Sequence, residues 1–438
     1  MRNSPRYKKR VRAKIWRRRI IALAVIAALF VGVCLLAKSC KAGGGGEPLG
    51  SDIGGTGSDN PSPVVQTATV ASTGDLLLHD RVLQSCLNGS EYSFDAMFSE
   101  IKPYYTSFDY TVMNLEVTLG GTEAGKYRGY PGFNSPDNII DTLKGVGVNS
   151  LLFANNHAYD TGKSGFLRTM RVLSEKQIDF MGARKQASDK KYIIKEINGI
   201  KIGMVCYTYA TKATNGNIAL NGITMASDVQ GLVNTFRYDN LSAFYSEISE
   251  IYTQMKNEGA DATMIYVHWG NEYQYSPNSY QKQMAQKLSD TGFDVIVGGH
   301  PHVIQPMTTL TGSGGNKTVC LYSMGNALSN QRKDVLDADK SGHTEDGLIF
   351  SVKFQKENGI TRIAEVDIMP TWVDLQYKGG KYYYRVIPLD TAVADWSAFN
   401  LNVADAKTSY NRTMKLVGEG LNSWRTQNGL EAKKTSVQ

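Results

Sequence analysis

The apolar positions of this chain form one long run followed by many short ones. The long run, residues 20–37, is 18 residues without a charge. As a helix it would span ~27 Å, close to the ~30 Å of a bilayer's hydrocarbon core. Residues 38–66 follow as a linker rich in Gly, Ser, Asp and Pro, a composition that buries no core and behaves as a tether. From Thr67 the pattern changes. Short apolar runs at 67–74, 110–116, 149–154, 192–197, 201–207, 262–267, 294–299, 318–322 and 348–354 read as strands. Between them, helical spacing predicts helices over 136–143, 165–176, 241–256 and 279–288. The third carries Phe244, Ile248, Ile251 and Met255 on one stripe. The alternation predicts an α/β fold, a sheet with helices outside. Residues 358–390 add strand-like pieces, and a polar surface helix is expected over about 402–424.

Charge separates the chain into two parts. The net charge is +7, but twelve Lys/Arg and no Asp or Glu lie in residues 1–41, so the remainder carries −5. An acidic body excludes nucleic acid as the main partner, because phosphate contacts need clustered cations. Ten of the basic residues precede the apolar run. That flank predicts a cytoplasmic N-terminus (1–19), a single transmembrane anchor (20–37) and an extracellular body in the cell envelope. A cleaved signal peptide is the alternative, with small residues at Ala37 and Ser39; its apolar run is usually shorter. The five cysteines show no paired spacing, and Cys206 and Cys320 read as buried thiols.

The chemistry sits where strands should end. Five of the six histidines belong to short polar clusters there: Gly74-Asp75 with His79, Asn155-Asn156-His157, His268-Trp269-Gly270 and Gly299-His300-Pro301-His302. Asn114-Leu115-Glu116 adds a carboxylate. Strand ends in α/β sheets gather at one crevice. Asp75, Glu116, Asn156, His268, His300 and His302 together offer a mixed N/O ligand set for two divalent cations, of a kind that suits Mn, Fe or Zn. If residues i and i+2 continue a strand, His300 and His302 point to one side. His157, with Asp160 three residues on to orient it, reads as a general acid. Glu272 and Arg128 are candidate substrate contacts. Four residues of extended chain would hold His79 ~13 Å from Asp75, so His79 reads as a substrate contact rather than a ligand. His343 stands alone in a charged loop.

The order Gly-Asp, Asn-Leu-Glu, Asn-Asn-His-x-x-Asp, His-Trp-Gly-x-Glu, Gly-His-Pro-His and Ser323-Met324-Gly325-Asn326 resembles the CapA family of poly-gamma-glutamate capsule synthesis proteins. The resemblance implies a calcineurin-like metallophosphoesterase fold, a layered β-sandwich flanked by helices, over residues 67–390, with a C-terminal helix and tail at 391–438. It implies that Glu116 bridges two metals, where the superfamily usually has Asp. Asp75-Leu76-Leu77 lacks the histidine of the usual Asp-x-His element. The implied partners are an anionic cell-envelope polymer and membrane-bound capsule synthase components. Two functions follow. One is a metal-dependent hydrolase or transferase acting on the polymer, favoured by the His157–Asp160 pair. The other is a non-catalytic polymer-binding or synthase-assembly component that keeps the site for structure, favoured by the missing histidine.

Overall fold

The short apolar runs become the strands of two sheets in a computed structural model, which describes residues 65–392 and 396–438. The expected basic segment and membrane span lie outside the described residues. Among the described residues no helix is long and apolar enough to cross a membrane.

In the first sheet the strands lie in the order Lys381–Pro388, Ile360–Lys378, Asp346–Glu357, Gln66–Leu76, Tyr110–Leu115, Ser150–Leu152 and Asp179–Met181. Pairing is antiparallel up to Gln66–Leu76 and parallel beyond it. The short strand Asn326–Leu328 adds to the end of Gln66–Leu76 in parallel. Gly74 permits that approach, since a Cβ there would lie 1.9 Å from the Gly325 carbonyl oxygen. In the second sheet the order is Thr235–Phe236, Ile200–Tyr209, Ala262–His268, Val295–Gly299, Lys317–Met324 and Ile304–Thr311. Only the last pair in that order is antiparallel. Tyr192–Ile197 pairs back onto Ile200–Tyr209 through Asn198-Gly199, the turn expected from the sequence.

Period-two alternation explains why the sheets stack. Met264 and Tyr266 face inward, in one apolar cluster with Val70 and Val112 of the first sheet. Ile265 and Val267 face outward onto Phe244, Ile248, Met284 and Leu288, from the helices Leu241–Asn257 and Ser279–Thr291. The Tyr266 hydroxyl meets the Ser72 hydroxyl at 3.0 Å across the interface. The result is a mixed α/β fold, two facing sheets with helices outside. Cys86, Cys206 and Cys320 are buried free thiols.

The C-terminal helix departs from expectation. It spans Val403–Gln427 and buries one face, with Tyr410, Met414, Val417, Leu421 and Trp424 inside while Thr408, Lys415 and Glu419 stay exposed. Its polar residues misled because they are satisfied inside. Ser409 donates to buried Asp346 at 2.6 Å, and Arg412 grips both oxygens of the same carboxylate at 2.7 Å.

Candidate metal centre

The carboxyl ends of strands from both sheets converge on one buried cluster. Asp75 is the penultimate residue of Gln66–Leu76 and Glu116 follows Tyr110–Leu115; both are fully buried. His268 closes Ala262–His268, and His300 and His302 follow Val295–Gly299. Five ionisable side chains supply two overlapping groups, Asp75–Glu116–His268 and Glu116–His300–His302 with Asp75 beside it. Within each of the two sets the candidate ligand atoms lie within 4.8 Å of one another. Glu116 is common to both, the position a bridging carboxylate takes. Asn156 joins through its side-chain oxygen, 2.7 Å from His268 Nε2.

His300 and His302 reach the cluster by a different route from the one expected. They do not continue the strand. Both adopt left-handed backbone, with φ of 93° and 56°. Non-glycine residues rarely sit there, and such strain is typical of functional sites. The bend turns both rings inward, with centroids 5.9 Å apart.

Two buried atoms test whether the residues fit a cation. Glu116 Oε1 and His300 Nδ1 are buried and have no hydrogen-bond partner. His268 Nε2 lies 3.3 Å from that same Glu116 oxygen. Buried groups of this kind are normally satisfied, and a bound divalent cation satisfies carboxylate oxygen and imidazole nitrogen together. The residues fit the implied metal.

The electrostatics agree. Burial, then the charges of Asp75 and Glu272, push the Glu116 carboxyl well above its usual range. Burial holds His300 far below the ordinary imidazole value, with His268 and His302 adding repulsion. Burial likewise lowers His268 to about 3, against the pull of Asp75. Burial also opposes ionisation of Asp75, but the hydrogen bond and charge of His302, with His268 and Asn114, bring it below the usual carboxylate value. Neutral imidazoles beside clustered carboxylates are ready ligands.

Three asparagines organise this set, and none was assigned a role from sequence. Asn114 donates to Asp75 Oδ1 at 2.7 Å and to Glu116 Oε2 at 3.0 Å. Asn155 in turn donates to Asn114 Oδ1 at 3.0 Å. Asn326 Oδ1 and Asp75 Oδ2 both lie 3.2 Å from His302 Nδ1, which fixes the proton there and leaves Nε2 facing Glu116. For Asn114 the signal was its place two residues before Glu116 on one strand face.

His157 and Asp160 form the expected pair, Nδ1 to Oδ2 at 2.7 Å, both buried. Asp160 is itself held by the Phe133 backbone N–H at 2.8 Å and by Asn221 at 3.1 Å. Asn221 stands at the tip of a hairpin, with φ of 46°.

The three expected substrate contacts stand apart from the ligand set. His79 accepts a hydrogen bond from the Asn330 backbone N–H at 3.2 Å and packs edge-on against Phe133, 5.2 Å between centroids. Burial drops its pKa to about 4. Glu272 is exposed in the loop after His268, close enough to help raise Glu116. Arg128 folds back on its own loop, donating to the carbonyls of Ala124 and Lys126. His343 is not isolated, since it packs on Tyr275 with ring centroids 4.4 Å apart.

Comparison with known proteins follows the same residues. The family model "Bacterial capsule synthesis protein PGA_cap" matches residues 69–331. The "PGA biosynthesis protein CapA" of Bacillus subtilis (strain 168) is 29% identical over 242 residues, covering 54% of this chain and 57% of its own length. The "Capsule biosynthesis protein CapA" of Bacillus anthracis is 25% identical over 274 residues, 60% of each chain. The chain thus spans less than two thirds of the length of these relatives. Among solved structures, the calcineurin-like phosphoesterase YfkN from Bacillus subtilis is similar at 16% identity and a TM-score of 0.40, over 80% of this chain and 98% of that one.

Proposed function

The chain belongs to the bacterial capsule synthesis protein PGA_cap family, and from that premise we propose that it is a membrane-anchored hydrolase of the cell envelope, acting on a phosphoester or amide of an anionic capsule polymer. The observation that carries the reading is the shared, unsatisfied Glu116 Oε1 between two sets of buried ligands. Asp75, Glu116, His268 and Asn156 would hold one divalent cation, and Glu116, His300 and His302 a second. Such cations supply Lewis-acid stabilisation of developing negative charge and activate water at neutral pH.

The chain's own groups supply the rest. Asp160 fixes the His157 proton on Nδ1, so Nε2 is free to carry a proton to a leaving group. The Phe133 N–H and Asn221 keep Asp160 from turning away. The sandwich buries the ligands from bulk water, which strengthens every charge interaction among them. The uncharged run at residues 20–37, behind a basic flank, supports an uncleaved anchor with the body outside the cell.

Metal content per chain and turnover of a generic phosphodiester with Mn or Zn, measured on the purified protein, test this. Glu116→Gln is expected to lose bound metal. His157→Ala is expected to keep it and to lose about 10²–10⁴-fold in kcat. Full metal content with no turnover, unchanged by His157→Ala, would establish the non-catalytic, polymer-binding role instead.

A further inference from the structure

We propose that Glu272 and the tyrosines beside it form a subsite for a substituted ammonium group, so that the unit cleaved at the metal cluster is zwitterionic.

Ring contacts lay out the subsite. From His300 in the cluster, aromatic rings lead outward without a break. The Tyr209 ring lies 4.9 Å from the His300 ring, the Tyr238 ring 6.3 Å from Tyr209, and the Tyr280 ring 5.0 Å from Tyr238. The strip opens toward solvent as it goes. Tyr209 and Tyr238 are half-buried, and Tyr280 is 46% exposed. Three elements place these rings side by side. Tyr209 ends the strand Ile200–Tyr209, Tyr238 follows the neighbouring strand Thr235–Phe236, and Tyr280 stands in the first turn of the helix Ser279–Thr291.

The loop after His268 brings a carboxylate to this strip. The Gly270 N–H donates to the Tyr238 hydroxyl at 2.8 Å, and the Tyr273 N–H donates to the Pro301 carbonyl at 2.8 Å. Glu272 stands in the chain between those anchors, one on the aromatic strip and one between the two cluster histidines. The backbone is left-handed on both sides of it, with φ of 84° at Gly270 and 63° at Tyr273. A bulky aromatic residue seldom takes that conformation, and such strain marks places where the aim of a side chain matters. The ring hydroxyls register the nearby charge. Burial, and then Glu272, raise the pKa of Tyr209 and of Tyr273 alike.

A cation is the complement this arrangement calls for. Among the described residues no lysine or arginine pairs with Glu272. Tyrosine faces carry negative potential and attract ammonium groups, most of all once the group is partly desolvated. A carboxylate at the edge of the same rings adds attraction of the same sign. A phosphate on this strip would be repelled by Glu272, which leaves the anionic part of a substrate to the metal ligands. A bare hydrocarbon there would cover the carboxylate without pairing it, at a cost in free energy.

The subsite rests on the hydrolytic reading only for the bond broken beside it. The test compares turnover of p-nitrophenyl phosphorylcholine with that of its neutral isostere, in which a tert-butyl group replaces trimethylammonium. The full-length protein is used, in nonionic detergent with Mn. The wild type is expected to favour the cationic ester about tenfold in kcat/KM. Glu272→Gln is expected to bring that ratio close to one, and Tyr280→Leu to lower it about threefold, with metal content and melting temperature unchanged. Equal turnover of the two esters by the wild type, a preference for the neutral ester, or a cationic preference that survives Glu272→Gln overturns the proposal. Calorimetry with choline alone separates the two readings. Choline that binds the wild type but not Glu272→Gln, in protein that turns over neither ester, sustains the subsite and removes the hydrolytic reading. Equal turnover of both esters without choline binding does the reverse, and loss of turnover and choline binding together removes both.

Discussion

Asn114 spends one amide proton on each of two buried carboxylates, and Asn326 fixes the proton of His302. Asn114 donates and Asn326 accepts in these bonds, and both set where candidate ligand atoms point. Asn326→Ala is therefore expected to leave the fold intact and lower metal affinity about 10–100-fold, read by competition with a chelator. The residues that come together in the cluster were legible in the sequence, because His, Glu and Asp at strand ends have few other uses in that pattern. Their organisers were not. An asparagine's role depends on which segment it meets, and Asn114 meets Asp75 from 39 residues away. The left-handed backbone at His300 and His302 was equally hidden, since nothing local marks it except the intervening proline.

The C-terminal helix shows the same limit for whole elements. Its position was legible and its burial was not, because Ser409, Thr413 and Arg412 made it look solvated. Gly420 is the sharpest test of that packing. A helical glycine usually gains ~1 kcal/mol on replacement by alanine. Here a Cβ would lie 1.9 Å from the Met307 carbonyl oxygen of the neighbouring strand. Overpacking of that kind costs about 1–3 kcal/mol, so Gly420→Ala is expected to lower the urea midpoint rather than raise it. Strand existence was easier to read than strand order. The runs around Cys206, Ile265 and Ile296 are apolar on both faces because both faces are covered, one by the other sheet and one by helices.

For the whole molecule, the cluster makes stability depend on pH and on metal together. His79, at about 4, His268, at about 3, and His300, by a wide margin, all lie below the unfolded value of 6.5. Groups depressed on folding contribute stability that is complete above pH 6.5 and is lost as pH falls toward the folded values. Glu116 is raised, so its contribution is lost in the opposite direction, as pH rises through its folded value. Melts in chelator are expected to fall steeply between pH 6.5 and 4.5. Saturating metal should raise the midpoint more at pH 7.5 than at 5.5, because Glu116, raised above the usual carboxylate range, must give up its proton to bind. A metal effect that is flat across this range would remove Glu116 from the ligand set. The candidate ligands also come from both sheets, and along the chain they are scattered from Asp75 to His302. Closing the cluster requires the two sheets to have met already, so a cation finds no complete site in a partly folded chain. Interactions absent from the folding transition state act on unfolding. A cation at this site would therefore govern how long the folded molecule lasts, and leave the speed at which it forms to the sheets themselves.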